Sequence, residues 1–483
     1  MRRLLALLTF IMLIASACSN SAPTASSSGG SPDPDAVIDL GSDDDIAFAS
    51  ALKPFAECSS LLDHLKAEAS ERVGPWGLNG GGYYFGDDVD LAVEDSGADD
   101  SVELNQGVPE APAAAGDEGF TEISGSVDGD SEGSYSSTNV QELGVDEPDI
   151  VKTDGKRIYV VKDNRLIVFD VTGAEPQRLH DITLGDGWGS EMFITDGKVY
   201  VMGQGNGEMP LAADVARTSE PGGYYVASTM ITEVDLSDAE AEPQLRTLYI
   251  EGSSVSARLV GSDLRLVVST FPNNLPFVAP GNNNQKAQDR ATEVNKEVIA
   301  ESTLEDWLPS YSLVVNGETS SGLLAECNEV NQPATFAGFG SLSVVSLDTN
   351  TPLDNGNVTS VLSEGQTVYA STESLYVTTN SWIDPASWND PEFRPSNDWS
   401  TSIHKFSTPV GAPASYQASG KVDGMLLNQF SMSEHKEIFR VATTDGNPWD
   451  GDGSESFVTT FEQRGEELVQ VGQVGGLGKG EQI

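Results

Sequence analysis

The sequence predicts an all-β fold, with four-stranded sheets repeated as the blades of a β-propeller. Three observations predict it. A Thr-Asp-Gly-Lys turn recurs before a β-branched and aromatic run: Thr153 to Lys156 leads into Ile158-Tyr159-Val160-Val161, and Thr195 to Lys198 into Val199-Tyr200-Val201-Met202. The two turns lie 42 positions apart (195 less 153), close to the length of one four-stranded blade. A second kind of strand also recurs, in LIVFDV, TMITEVDLS (Thr229 to Ser237) and GSLSVVSLD (Gly340 to Asp348), each followed by a polar turn. Each unit leaves an apolar face that only a neighbouring unit covers, which argues for a radial array over the alternatives, a β-sandwich or two unrelated β domains.

Met1-Arg2-Arg3 is a basic start, and Leu4 to Ile14 an apolar run too short to span a bilayer. Ala15-Ser16-Ala17 then offers a cleavage site directly before Cys18. This resembles a bacterial lipoprotein signal (residues 1–18), with Cys18 as the lipidation site and the membrane as the first partner. An ordinary secretory signal is the alternative. Residues 19–45, rich in Ser, Pro, Gly, Ala and Asp, read as a flexible tether. In the segment 46–138, Pro54 suits a first helical position, and Phe55, Cys58, Leu62 and Leu65 fall on one helical face. From Gly86 to Gly133 there are 15 Asp and Glu and no Lys or Arg, a one-signed, apolar-poor run expected to be disordered.

The propeller is expected over residues 139–483. It opens on NVQELGVDEPDIVKTDGKRIYVVKDNRLIVFDV, an acidic approach, an Asp-Gly turn, and two β-rich runs joined through Asn164, which tolerates the left-handed backbone of a tight hairpin. Further copies are VGSDLRLVVST (Val260 to Thr270), TESLYVTT (Thr372 to Thr379) and EHKEIFRVATT (Glu434 to Thr444). Insertions at 209–223 and 277–321 break the spacing, the longer one with a helix expected over Ala287 to Thr303 that runs into Asp306-Trp307-Leu308-Pro309-Ser310-Tyr311.

With 75 acidic and 26 basic residues the formal net charge is −49. Such a surface repels nucleic acid and anionic headgroups, and nucleic acid is excluded as a partner. The chemistry-bearing residues form no compact motif: GxSxG, HExxH, CxxC and HxH spacings are all lacking, and His64, His180, His404 and His435 stand singly. His180 and His435, the latter opening a strand, are expected at the surface. Carboxylate pairs carry no information when acids are this abundant. Cys58 and Cys327 remain once Cys18 is assigned to lipid, and in an exported chain they are candidates for a disulfide tying the N-terminal helix to LLAECNEV (Leu323 to Val330). Two separate buried thiols are the alternative. The acidic approach makes Asp146, Glu147, Asp149 and Asp154 the one candidate cation site, with Ca²⁺ the best chemical match; ordinary turn chemistry around Pro148 is the competing reading. Beyond that the sequence assigns no cofactor.

The block NVQELGVDEPDIVKTDGKRIYVV, the helix leading to DWLPSY, the GSLSVVSLD strand and the closing VGQVGGLGKGEQI together resemble the secreted bacterial β-propeller-domain family, distantly related to WD40-type repeats. The resemblance covers about residues 45 to 483, with GVDEPDIVKTDG its most specific part. It implies an extracytoplasmic propeller after a small N-terminal segment, often on a lipoprotein, and carries no catalytic residues to transfer. Family members continue past GLGKGE, so the propeller is expected to be incomplete at its C-terminus, with four to five blades present. The reading is a membrane-anchored binding or interaction module that takes a protein or glycan ligand at the cell envelope, leaning against catalysis. The alternative is an extracellular propeller hydrolase acting on glycan or peptide. Trp307, Tyr311, Trp382, Trp388, Trp399 and Trp449 are the aromatics whose placement discriminates the two.

Overall fold

Two successive left-handed residues, Asp163 (φ 50°) and Asn164 (φ 57°), turn the chain between its first long strands. Both φ values are positive, as a two-residue hairpin of right-handed twist demands. Asn316-Gly317 and Lys436-Glu437 repeat the device. The computed structural model describes residues 52–78 and 140–479 except 143, 186, 206, 208, 211–226, 239–240, 283, 334–335, 364, 381–399, 410–411 and 447–453. All of these belong to one unit, Asp44–Ile483. Cys18, the tether, the acidic run, the loop over 211–223, and Trp382, Trp388, Trp399 and Trp449 lie outside the described residues.

The chain starts with strand β1 (Leu52–Pro54) and helix α1 (Cys58–Arg72). Pro54 therefore closes an edge strand instead of opening the helix, because the chain here runs extended along a later strand. Proline is tolerated on such an edge, where its missing N–H leaves no ladder bond unmade. Four-stranded antiparallel blades follow. The first is β2 (Val151–Thr153), β3 (Arg157–Lys162), β4 (Arg165–Asp170) and β5 (Gln177–Thr183). The second is β6 (Gly187–Thr195), β7 (Lys198–Gly205), β8 (Ser228–Asp235) and β9 (Gln244–Glu251). The third begins with β10 (Ser253–Val260) and β11 (Asp263–Thr270).

An insertion wider than its sequence signal then intervenes. It holds α2 (Gln285–Glu301), the hairpin β12 (Ser310–Val315) and β13 (Glu318–Leu323), and β14 (Val330–Pro333). The third blade resumes with β15 (Ser341–Asp348) and β16 (Asn357–Leu362). The fourth blade is β17 (Gly365–Ala370), β18 (Ser374–Asn380), β19 (Ser400–Ser407) and β20 (Ser415–Asp423). The fifth is β21 (Met432–His435), β22 (Ile438–Asp445), β23 (Glu455–Arg464) and β24 (Glu467–Leu477). His435 thus closes a strand, since its hairpin residues come directly after it. The expected all-β propeller of four-stranded blades is the fold.

The insertion joins two blades. Its hairpin adds to the outer strand of the second blade through β12 and β9, and β14 adds to the third blade beside β16. Strand β1 extends that same edge by pairing with β14. Helix α1 turns Leu61, Leu65 and Ala69, at four-residue spacing, into the core between those two blades. The structure joins Cys58 at its start to Cys327 of the insertion in a disulfide, Cα–Cα 5.1 Å. Asn295 of α2, fully buried, accepts from Val278 N and donates to Gly74 O, fixing both segments to the helix.

Hydrophobic residues collect between successive blades. Tyr159, Val161 and Leu166 meet Met192 and Val201 between the first two; Ile231, Leu248, Leu259 and Leu266 lie between the second and third. Val267 and Val344 meet Val377 and Phe406 between the third and fourth, and Tyr376 and Ile403 meet Phe439 and Phe461 between the fourth and fifth. These are the faces that a single blade leaves uncovered. A tyrosine on the second strand of three blades gives its hydroxyl proton to a carboxylate: Tyr159 to Asp154 (2.9 Å) and Tyr200 to Glu233 (2.9 Å) within their own blades, and Tyr376 to Glu434 (2.9 Å) across to the fifth.

Candidate functional site

The acidic approach does not stop at the first blade. It crosses the first-strand edges of all five, in reverse order. Gln141 Nε2 donates to the carbonyls of Gln429 (3.3 Å) and Met432 (3.4 Å) at the start of the fifth blade. Glu142 accepts the Tyr369 hydroxyl at 2.6 Å on the fourth. Asp146 exchanges both backbone bonds with Leu259 of β10 (2.8 and 3.0 Å), and Asp149 does the same with Met192 of β6 (2.8 and 3.2 Å). Val151 to Thr153 then becomes β2. Pro148 holds the residue before it extended and has no N–H to orphan, so a short extended segment pairs with one blade on each side of it.

The segment's charges are matched as it passes. Lys152, buried on the first blade, donates to Asp146 Oδ1 at 2.5 Å and to Glu147 O at 2.6 Å, and lies 5.6 Å from the Phe193 ring. Arg258 reaches Glu147 Oε1 (3.3 Å) and donates to Gln429 Oε1 (2.9 Å) and Ala257 O (2.7 Å). Burial lowers the Arg258 pKa, and the Glu147 and Glu191 carboxylates oppose that. Glu191 is raised by burial and then by Asp149 beside it. Buried ion pairs of this kind offset a desolvation cost with geometry and specify position more than they stabilise.

Of the four cation candidates the structure gathers Asp146, Glu147 and Asp149 on one segment and puts Asp154 elsewhere. Asp154 Oδ1 accepts from Lys156 N (2.8 Å) and Arg157 N (2.6 Å), closing the Asp-Gly turn while Oδ2 takes the Tyr159 hydroxyl. Burial raises its pKa, but those hydrogen bonds outweigh it and the net shift is downward. Among the described residues no group of three or more His, Cys, Asp or Glu is arranged to hold a metal ion. Sequence reasoning missed Arg258 and Gln429; the signal available for the first was a lone arginine in the apolar strand SSVSARLV.

Two other sequence-flagged groups have clear places. Trp307 is buried, its indole N–H donating to Ser302 Oγ at 2.8 Å, and Tyr311 packs half-buried against the same core. His404 pairs with Ser419 Oγ through Nδ1 at 2.7 Å, the geometry of a nucleophile and its base. Both are 1% exposed, and burial pulls the histidine down to about 4, so the pair is sealed and neutral, a structural bond inside the fourth blade. Three large apolar side chains are exposed next to the approach segment. Ile150 (54% exposed) follows Asp149, and Phe430 (70%) follows Gln429, with Leu427 (53%) in the same loop.

A protein of Archaeoglobus fulgidus described as an uncharacterized protein is 26% identical over 419 residues, covering 72% of this chain. This chain spans 57% of that relative's length. Among solved structures, the tricorn protease is 10% identical with a TM-score of 0.26, covering 68% of this chain and 27% of its own. An oligogalacturonate lyase in complex with manganese is 9% identical (TM-score 0.23, covering 64% and 60%). The WD40 domain of SCAP from fission yeast is 8% identical (TM-score 0.21, covering 69% and 77%). Similarities this low carry no argument about activity. The model of the beta propeller domain family matches residues 135–483, and with five four-stranded units behind that match the chain belongs to the beta propeller domain family.

Proposed function

We propose that this protein is an exported, lipid-anchored β-propeller that binds a protein or glycan partner at the cell envelope. The observation that carries the binding reading is the exposed apolar loop of Leu427 and Phe430, set beside a polar cluster in which Lys152 and Arg258 are already paired with Asp146 and Glu147. Single exposed apolar side chains are ordinary, but neighbouring ones rimmed by polar residues mark interaction surfaces. The compartment rests on the lipoprotein-like start at Cys18 and is supported by the Cys58–Cys327 bridge, a pairing that persists in oxidising surroundings. The test has two arms. Cells producing the full chain incorporate labelled fatty acid, and Cys18→Ser abolishes the label. A photo-crosslinking residue at Phe430 captures a discrete adduct on intact cells, and one at exposed Lys421, as a control, does not. No label on the wild-type chain sinks the anchor, and equal crosslinking at both positions sinks the surface.

A further inference from the structure

The loop that carries Leu427 and Phe430 is exposed without being loose. Asn428 caps the tight turn Gln429–Ser431, its side chain accepting from Phe430 N at 2.9 Å. Met425, before it, exchanges both backbone bonds with Thr444 (2.9 and 2.9 Å). Gln429 is held from two sides, by Gln141 and by Arg258. A side chain displayed from a fixed turn costs little ordering when a partner binds it. Phe430, at 70%, is the most exposed large apolar residue among those described.

The Arg258 contact also fixes what lies beside that loop. Its guanidinium reaches Glu147 (3.3 Å), and Ile150 follows in the same segment. Between them Asp149 pairs its backbone with Met192, the neighbour of Glu191. Glu191 is exposed and Asp149 half-buried, and neither forms an ion pair among the described residues. Partial burial and then the Asp149 charge raise the Glu191 pKa, and Arg258 offsets them only in part. Like charges held together without a counter-ion in contact favour the approach of a cation. The chain's net charge of −49 adds a field of the same sign.

The apolar half favours a polypeptide over a sugar. Leu427 and Ile150 are aliphatic and offer no flat face to a sugar ring, and the polar side chains beside them, Gln429 and Arg258, are engaged with each other. A peptide supplies both halves, apolar side chains for the loop and Lys or Arg for the carboxylates. Building on the reading of this loop as a binding surface, we propose that its partner is a basic polypeptide segment. Apolar side chains of the partner seat on Phe430, Leu427 and Ile150, and its cations meet Asp149 and Glu191.

The test uses the full chain without its lipid and two short labelled peptides, one alternating Lys with Leu and one alternating Lys with Ser, followed by fluorescence anisotropy. The Lys-Leu peptide should bind about tenfold tighter than the Lys-Ser peptide, and Phe430→Ser should remove about that factor, the loss of one anchoring aromatic. Asp149→Asn with Glu191→Gln should weaken Lys-Leu binding and flatten its salt dependence. Glu297→Gln with Glu301→Gln, which takes the same charge from the exposed side of α2, should leave binding unchanged. Equal losses in the two double variants, or wild-type binding by Phe430→Ser, overturn the proposal, because the attraction would then be the charge of the whole chain. A crosslinked adduct at Phe430 that glycosidase digestion removes also overturns it, while leaving the surface itself in place; equal crosslinking at Phe430 and Lys421 sinks the surface too.

Discussion

Removing both halves of the Cys58–Cys327 bridge should cost this protein more than any single contact. The disulfide closes a separation of 269 residues. In the chain-entropy description that closure removes about 5.6 kcal/mol of unfolded-state freedom at 25 °C, and native strain or residual structure commonly lowers the figure. The bridge also anchors α1, whose Leu61 and Leu65 sit in the core between the second and third blades, and Cys327 is itself buried. Cys58→Ala with Cys327→Ala is therefore expected to lose about 3 to 6 kcal/mol. The assay is urea unfolding of the double variant against the oxidised wild type, with reduced wild type as the second reference. The three curves order the contributions: the reduced protein loses the cross-link alone, and the variant loses the sulfur packing as well. A difference below about 1 kcal/mol between oxidised and reduced wild type would refute the reasoning, because α1 would then open independently of the blades.

Three further outcomes follow from the buried polar groups. His404 has its pKa lowered to about 4 from 6.5 by burial, so the unfolded chain binds the extra proton first as pH falls; stability is full above pH 6.5 and is lost towards pH 4, by about 3 kcal/mol from this residue. His404→Gln should show a flatter stability profile than wild type over that window, read from urea midpoints at pH 7 and pH 4.5; identical profiles would contradict it. Tyr200→Phe removes the hydroxyl that Glu233 accepts while Lys198 and Leu353 N still hold the carboxylate. A loss of about 1.5 to 3 kcal/mol is expected, the range for hydrogen bonds to charged groups, and an unchanged midpoint would show the bond to be dispensable. Gly252, the single residue between β9 and β10, has φ 117°, and a Cβ there would press on Thr270 Oγ1 and on Ser269 O at 2.5 Å. Gly252→Ala should cost about 1 to 3 kcal/mol, and a neutral calorimetric result would mean that the junction relaxes.

The strands that repeat in sequence were the ones facing two neighbours. The Thr-Asp-Gly-Lys copies mark second strands and LIVFDV, TMITEVDLS and GSLSVVSLD mark third strands, where burial on both faces enforces an apolar pattern, as in the almost wholly buried β8. The fourth strand of the first blade, QRLHDIT, is exposed along most of its length and carries no such pattern. The insertion was legible as a helix followed by DWLPSY, but its hairpin and β14 were not, since they attach to different blades through non-local pairings, Tyr311 with Ile250 (311 less 250, 61 positions) and Val330 with Ser360 (360 less 330, 30 positions), that leave no local signal. At the site, the acidic approach was recognised as a cluster and its Asp154 as turn chemistry; what could not be read was the path. Gln141, Glu142, Asp146 and Asp149 each meet a different blade, and backbone pairing of that kind leaves no trace in residue type.

That path has a consequence for the order of assembly. Gln141 is made 288 residues before Gln429, its partner. The approach segment is therefore expected to dock fully only after the first-strand edge of the fifth blade has formed. Contacts of such separation carry a large closure entropy and form late. Until then the charged residues of VDEPDIVK remain in water, which keeps an otherwise sticky set of first-strand edges from being sealed in the wrong register by a segment already in place. Once docked, one short stretch touches all five described blades, so its docking depends on each of them having formed.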